Sequence, residues 1–144
     1  MGKETYYVAY NHLPELAAAL HEEVAKIVKE TAEQIISVAG VNAPEVTGFM
    51  KSSIYMVTHD ASTYGQAITP GKPGSHLLPE VDKPPDDLTA FVAVAANYGV
   101  FVNFGTSRMP ANPFFNTAAV QAQQRFTLRM ETLEKRLAQA VPAP

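Results

Sequence analysis

Two long apolar stripes, one at each end of the chain, limit what this sequence can fold into more than any other feature. Between Pro14, suited to a first helical turn, and Gly40, suited to a helix end, Leu13, Leu16, Leu20, Val24, Ile27, Val28, Thr31, Ile35 and Val38 recur on one helical face. Glu22, Lys26, Lys29, Glu30 and Glu33 fall opposite, with Glu22 and Lys26 at a supportive i,i+4 spacing. At the other end Asn112 and Pro113 read as a cap and first helical residue. From there Phe115, Ala119, Ala122, Phe126, Met130, Leu133, Leu137 and Ala140 trace a second stripe. Each helix would run roughly 40 Å at 1.5 Å per residue, about the width of a small domain, so both are expected to lie across one sheet.

The middle of the chain must supply that sheet. Residues 4–10 (ETYYVAY) alternate as a short strand does, and 53–60 (SIYMVTHD) read as another after a turn of helix begun by Thr47. A strand near Gly65 to Thr69 would complete a hairpin over Asp60 to Tyr64. Leu88 to Ala96 sets Phe91, Ala93 and Ala95 on one side and Val92 and Val94 on the other, the pattern of a central strand. Tyr98 to Gly105 reads as a further strand or a helical turn. The expectation is one α+β domain over residues 1–144, with a small antiparallel sheet of about four strands packed on the long N-terminal and C-terminal helices. Residues 70–87 contain five of the 11 prolines and show no period. The segment 60–87 is therefore expected to form a flexible loop or arm that projects from the domain, with Leu77, Leu78 and Val81 as its clustered apolar side chains.

Composition removes several chemistries. With no cysteine there is no disulfide, thiolate zinc site, iron–sulfur cluster or cysteine nucleophile. A net charge of −3, from 11 basic and 14 acidic residues, does not suggest general attraction to nucleic acid or anionic lipid. Leu88 to Ser107 is uncharged, yet Thr89, Asn97, Gly99, Asn103, Gly105 and Thr106 make it a poor membrane span, so no membrane partner is expected. The first residues lack the apolar centre of a signal peptide, and Tyr6 stands where a myristoylation signal wants Ser or Thr, so neither secretion nor lipidation is expected.

The residues that could carry catalysis are poorly arranged for it. His12, His21, His59 and His76 form no ligand spacing, and His21-Glu22 opens a zincin motif whose second histidine is replaced by Ala25. Residues 71–75 (GKPGS) lack the ending of a phosphate loop. Ser75, His76 and Asp82 supply triad residue types without a nucleophile elbow, and Glu80, Asp82, Asp86 and Asp87 sit in the proline-rich stretch, where they solubilise a loop. Arg125, Arg129 and Arg136 border the apolar stripe of the last helix, which favours packing of their stems and ion pairing over nucleic-acid contact. No catalytic, cofactor-binding or metal site is expected.

Three segments in order are more specific. Residues 43–54, Ala-Pro-Glu-Val-Thr-Gly-Phe-Met-Lys-Ser-Ser-Ile, are similar to an Ala-Pro-x-Asp-Thr-Gly-x-Leu-x-x-Ser-Ile element, with Val46 for the Asp and Met50 for the Leu. Residues 98–106, Tyr-Gly-Val-Phe-Val-Asn-Phe-Gly-Thr, resemble Tyr-Ala-x-Tyr-Val-Glu-Phe-Gly-Thr, with Asn103 for the Glu, and residues 113–118 resemble a Pro-Phe-Leu-x-x-Ala helix start. In this order they resemble the head–tail joining or tail-completion proteins, the minor capsid or minor tail proteins of the neck of long-tailed bacteriophages. The resemblance implies a structural subunit of a homo-oligomeric ring joining head to tail. The ring would contact neighbouring neck and tail proteins and pass DNA without sequence readout. It would belong to the virion and assemble in the host cytoplasm.

The quoted residues mostly shape the chain. Thr47, Gly48, Gly105, Thr106, Asn112 and Pro113 set turns and caps, with Gly105 placed where a Cβ would obstruct the backbone. Phe101, Phe104 and Arg108, beside that turn, are candidates for the subunit interface together with Leu77, Leu78 and Val81; intramolecular packing of the aromatics is the alternative. A terminator or tube subunit of the tail is the second functional reading, and a small ligand-binding domain or enzyme the third. A metabolite or metal that raised thermal stability would favour the third.

Overall fold

A computed structural model describes residues 13–44, 49–68 and 77–140. The long helices are α1 (Leu13–Asn42) and α5 (Phe114–Ala140). Between them come α2 (Phe49–Ser52), β1 (Ile54–Val57), α3 (Tyr64–Ile68), β2 (Phe91–Val94) and α4 (Gly99–Phe104).

α1 and α5 make the most extensive contact between described elements. Ala32 and Ala39 of α1 and Ala118 and Ala122 of α5 are all buried, and side chains this small let two backbones approach closely. The pair is antiparallel. Ala39 and Ala118 share one cluster, while at the far end Arg136 of α5 reaches Glu23 of α1 at 3.5 Å. Gly40 does not end α1. The helix passes it buried, next to Lys51 of α2, and stops after Asn42, where Pro44 disfavours helical backbone at the residue before it.

Among the described residues the expected sheet of about four strands is corrected to two. β1 pairs with β2 antiparallel, with Ile54 opposite Val94 and Val57 opposite Phe91. Residues 4–10 lie outside the described residues. The expected hairpin partner near Gly65 to Thr69 is instead the helix α3, and Tyr98 to Gly105 resolves as the helix α4. The chain does reverse after β1: Thr58 N–H donates to Ala61 O at 2.8 Å and Thr63 N–H donates to Met56 O at 3.0 Å. Only Ser62 forms a bridge, with Val57, before α3 begins.

Both faces of this small sheet are covered by helix, so helices dominate the molecule. Ile54, Val92, Val94 and Ala96 pack with Ile35, Ile36, Val38 and Ala39 of α1 and with Phe114 and Ala118 of α5. Tyr55, Val57, Ala93 and Ala95 pack with Tyr64, Ala67 and Ile68 of α3. The two-sided apolar pattern of β2 thus arises from helices above and below, and not from strands on either side. Ser53, fully buried, fastens the open end of the pair. Its hydroxyl donates to Met50 O at 2.7 Å and accepts from Ala96 N–H at 3.3 Å, while its carbonyl accepts from Ala95 N–H at 2.9 Å.

The expected projecting arm does not project over residues 77–87. Leu78 N–H donates to Ala95 O at 2.7 Å, Tyr64 Oη donates to Leu78 O at 2.8 Å and Val81 N–H donates to Tyr55 Oη at 3.1 Å. Glu80 accepts from the Ser62 hydroxyl, Pro84 is buried, and His59 Nδ1 lies 3.3 Å from Pro84 O. Prolines here hold an extended strap against the sheet rather than free of it. Residues 69–76 lie outside the described residues.

Candidate functional site

The polar candidates do not converge. His21 Nε2 lies 2.7 Å from Asp87 Oδ1, with both side chains about half exposed, and His59 meets a backbone carbonyl. His12, Ser75 and His76 fall outside the described residues. Among the described residues no three His, Asp or Glu side chains gather as a metal would need, and no helix is long and apolar enough to cross a membrane. The arginines of α5 are separated in role: Arg136 pairs with Glu23, while Arg125 is exposed. Burial raises the pKa of the Tyr55 phenol above its ordinary value, against the lowering effect of the Val81 N–H that it accepts.

What does gather is apolar surface around α4. This short helix forms because Tyr98 O accepts from Phe101 N–H at 3.1 Å and Val102 N–H at 3.2 Å, and it is fixed on its inner side by close packing. A Cβ on Gly99 would lie 2.9 Å from Val94 Cγ1, so the absence of a side chain lets α4 sit on the end of β2. Val102 carries the next connection, its carbonyl accepting Asn112 N–H at 2.8 Å.

Asn103 makes the second anchor. Only 5% exposed, it turns its Oδ1 toward the start of α5, where it accepts from both Phe115 N–H and Asn116 N–H at 3.2 Å. Two of the unpaired amide groups at that helix end are thereby satisfied by a side chain from another element. The sequence pattern pointed to Asn112 as this cap. In the structure Asn112 contributes its backbone instead, accepting from Phe114 N–H at 2.7 Å, and Pro113 O accepts from Thr117 N–H at 2.9 Å. A cap eleven residues ahead of its helix has no local spacing by which to be recognised.

The chain leaves α4 through Gly105, whose φ is 78° and whose N–H donates to Phe101 O at 2.8 Å. A Cβ there would come within 2.7 Å of Ala111 N. It follows a helix end, the second of the two readings that the sequence left open for Tyr98 to Gly105. Next is a tight turn: Thr106 N–H donates to Met109 O at 2.8 Å and Thr106 Oγ1 accepts Arg108 N–H at 3.2 Å, leaving Arg108 exposed at its tip.

With its inner side so occupied, α4 presents Val100, Phe101 and Phe104 to solvent, 52%, 55% and 64% exposed. Val100 and Phe104 also line an apolar groove of about 330 Å³ that runs along β2 and the start of α5, past Leu78, Val94 and Phe115. Of the expected interface residues, Leu78 and Phe104 therefore meet in one groove and Phe101 flanks it. Leu77, bridged to Ala96, does not line it, and Val81 lines a separate polar groove beside Ser62 and Lys83. Thr47 and Gly48 lie outside the described residues. Val100 was not singled out from the sequence, and Phe115 only as part of the last helix's stripe, although the i,i+4 spacing of Val100 and Phe104 would have placed those two on one face once a helix was assumed. Comparison with the models of known protein families, with characterised proteins and with solved structures finds no match for this chain.

Proposed function

We propose that this chain is a structural subunit of a ring in the neck of a long-tailed phage, a head–tail joining or tail-completion component that acts by assembly and not by catalysis. The supporting observation is the surface of α4: three large apolar side chains held outward by a helix whose inner side is fixed by Gly99, Asn103 and Gly105. Contiguous exposed apolar side chains on a rigid element are the usual mark of a protein–protein contact. The resemblance of 43–54, 98–106 and 113–118 to neck-protein motifs supports this choice of assembly, and Phe49–Ser52, Gly99–Phe104 and residues 114–118 within them lie on α2, α4 and the start of α5. In this reading the ring lies in the virion between head and tail, touches neck and tail proteins above and below, and lets DNA through without reading it.

The test is Phe101→Glu and Phe104→Glu introduced separately into the phage. Both chains are expected to fold, and electron microscopy is expected to show filled heads without joined tails. Normal particles from both variants would refute the proposal.

A further inference from the structure

Among the described residues, the edge of β2 away from β1 is open. Register pairs Ile54 with Val94, and Ala95 N–H donates to Ser53 O, so the backbone groups of Phe91 and Ala93 face β1 while those of Val92 and Val94 face away from it. Met56, opposite Val92, shows the same phase on the other strand: its N–H and C=O turn outward to Thr63 Oγ1 and Thr63 N–H, both at 3.0 Å. At Met56 the outer edge of β1 is thus occupied. Among the described residues nothing bonds the outward N–H and C=O groups of Val92 and Val94, and the apolar groove past Val94, Val100 and Phe104 runs along that same edge. An unpaired edge beside an apolar trough is a template for an added strand.

Resting on the ring reading above, we infer that the edge of β2 is completed by residues 4–10 of a second copy of this chain. Elimination leads there. A β2–β2 pairing would be isologous and stop at a dimer, whereas a ring needs two different surfaces per subunit. The edge of β1 is taken at Met56, and residues 4–10 have a strand's alternation. One side of such a strand presents Tyr6, Val8 and Tyr10, and Thr5 to Tyr10 carry no charge, which matches the uncharged groove.

Reach decides between the chain's own edge and a neighbour's. Val92 and Val94 pack against the same cluster as Ile35, Ile36 and Val38, which lie about 33 Å or more along α1 from Leu13 at 1.5 Å per residue. Tyr7, at the centre of the segment, is six residues from Leu13 and can extend at most about 20 Å from it. The segment therefore meets the edge of the adjacent subunit and leaves its own edge for the subunit on the other side, which closes a ring by rotation.

The experiment is native mass spectrometry of the full chain and of two variants over a concentration series. Val92→Pro removes an outward N–H that the ladder to β1 does not use, and Val8→Pro removes the N–H at the centre of the proposed strand. Wild type is expected to assemble beyond a dimer, and each variant to need at least tenfold higher concentration. Should Val92→Pro lose the fold by circular dichroism, Val8→Pro decides alone. Assembly of Val8→Pro at wild-type concentrations overturns the strand exchange and leaves the ring reading standing. A wild type that stays monomeric throughout overturns both. Because the chain has no cysteine, mixing Val8→Cys with isotopically labelled Val92→Cys adds a direct readout. A disulfide between labelled and unlabelled chains is expected, and assembly without that disulfide counts against the exchange.

Discussion

Asn103 carries more of this fold than its residue type suggests. Replacing it with Ala leaves Phe115 N–H and Asn116 N–H without an acceptor at the start of α5, a loss of about 0.5–2 kcal/mol for a helix cap of this kind. Asn103→Asp keeps the acceptor and adds negative charge at the positive end of a helix, so at pH 7 its urea midpoint should fall nearer to wild type than that of Asn103→Ala. Tyr55 offers a test by pH. Its phenol holds its proton more tightly folded than unfolded, so its contribution is complete below the ordinary pKa of 10.0 and falls as pH rises through the higher folded value. The stability gap between wild type and Tyr55→Phe, about 0.5–1.5 kcal/mol for the lost Val81 hydrogen bond, should therefore be constant from pH 7 to 9 and shrink above 10.0. A gap that widened in alkali would contradict the assignment.

At the scale of elements, the two helices were legible because amphipathic period over seven turns overrides any local ambiguity; the strands were not. Tyr64 to Ile68 has the β-branched and aromatic residues of a strand, yet it caps the face of the sheet as one helical turn, because Tyr64 packs edge-on to Tyr55 at 5.0 Å between ring centres. The Leu88 to Ala96 segment was recognised as a strand but misjudged as central, since burial by helices and burial by neighbouring strands leave the same apolar pattern. The stripe on α5 also drifted: Phe114 and Ala118, not Phe115 and Ala119, are its fully buried members near the N-terminus. Phe126, foreseen as core, is only half-buried, so Phe126→Ala should cost less than the ~3–5 kcal/mol of a buried phenylalanine. Leu133→Ala, at a position 3% exposed, should cost about 2–5 kcal/mol and exceed Phe126→Ala despite the smaller side chain. Thermal denaturation of both variants checks that order.

At the scale of the whole molecule, the residues that make the surface were partly readable and its location was not. Phe101 and Phe104 stood out as aromatics beside a glycine turn, but only the helix α4 and the distant cap from Asn103 explain why they face outward. Leu78 joins them through the strap across the end of β2, where it bonds Ala95, a contact distant in sequence that no local pattern encodes. In the proposed ring this surface is kept apolar for another copy of the chain and contributes little to folding. Sedimentation velocity of wild type and Phe104→Glu over a hundredfold concentration range tests this most directly. The account predicts a wild type that grows beyond a dimer and a variant that stays monomeric with an unchanged melting temperature. A wild type that remains monomeric, or a Phe104→Glu chain that unfolds, would contradict it.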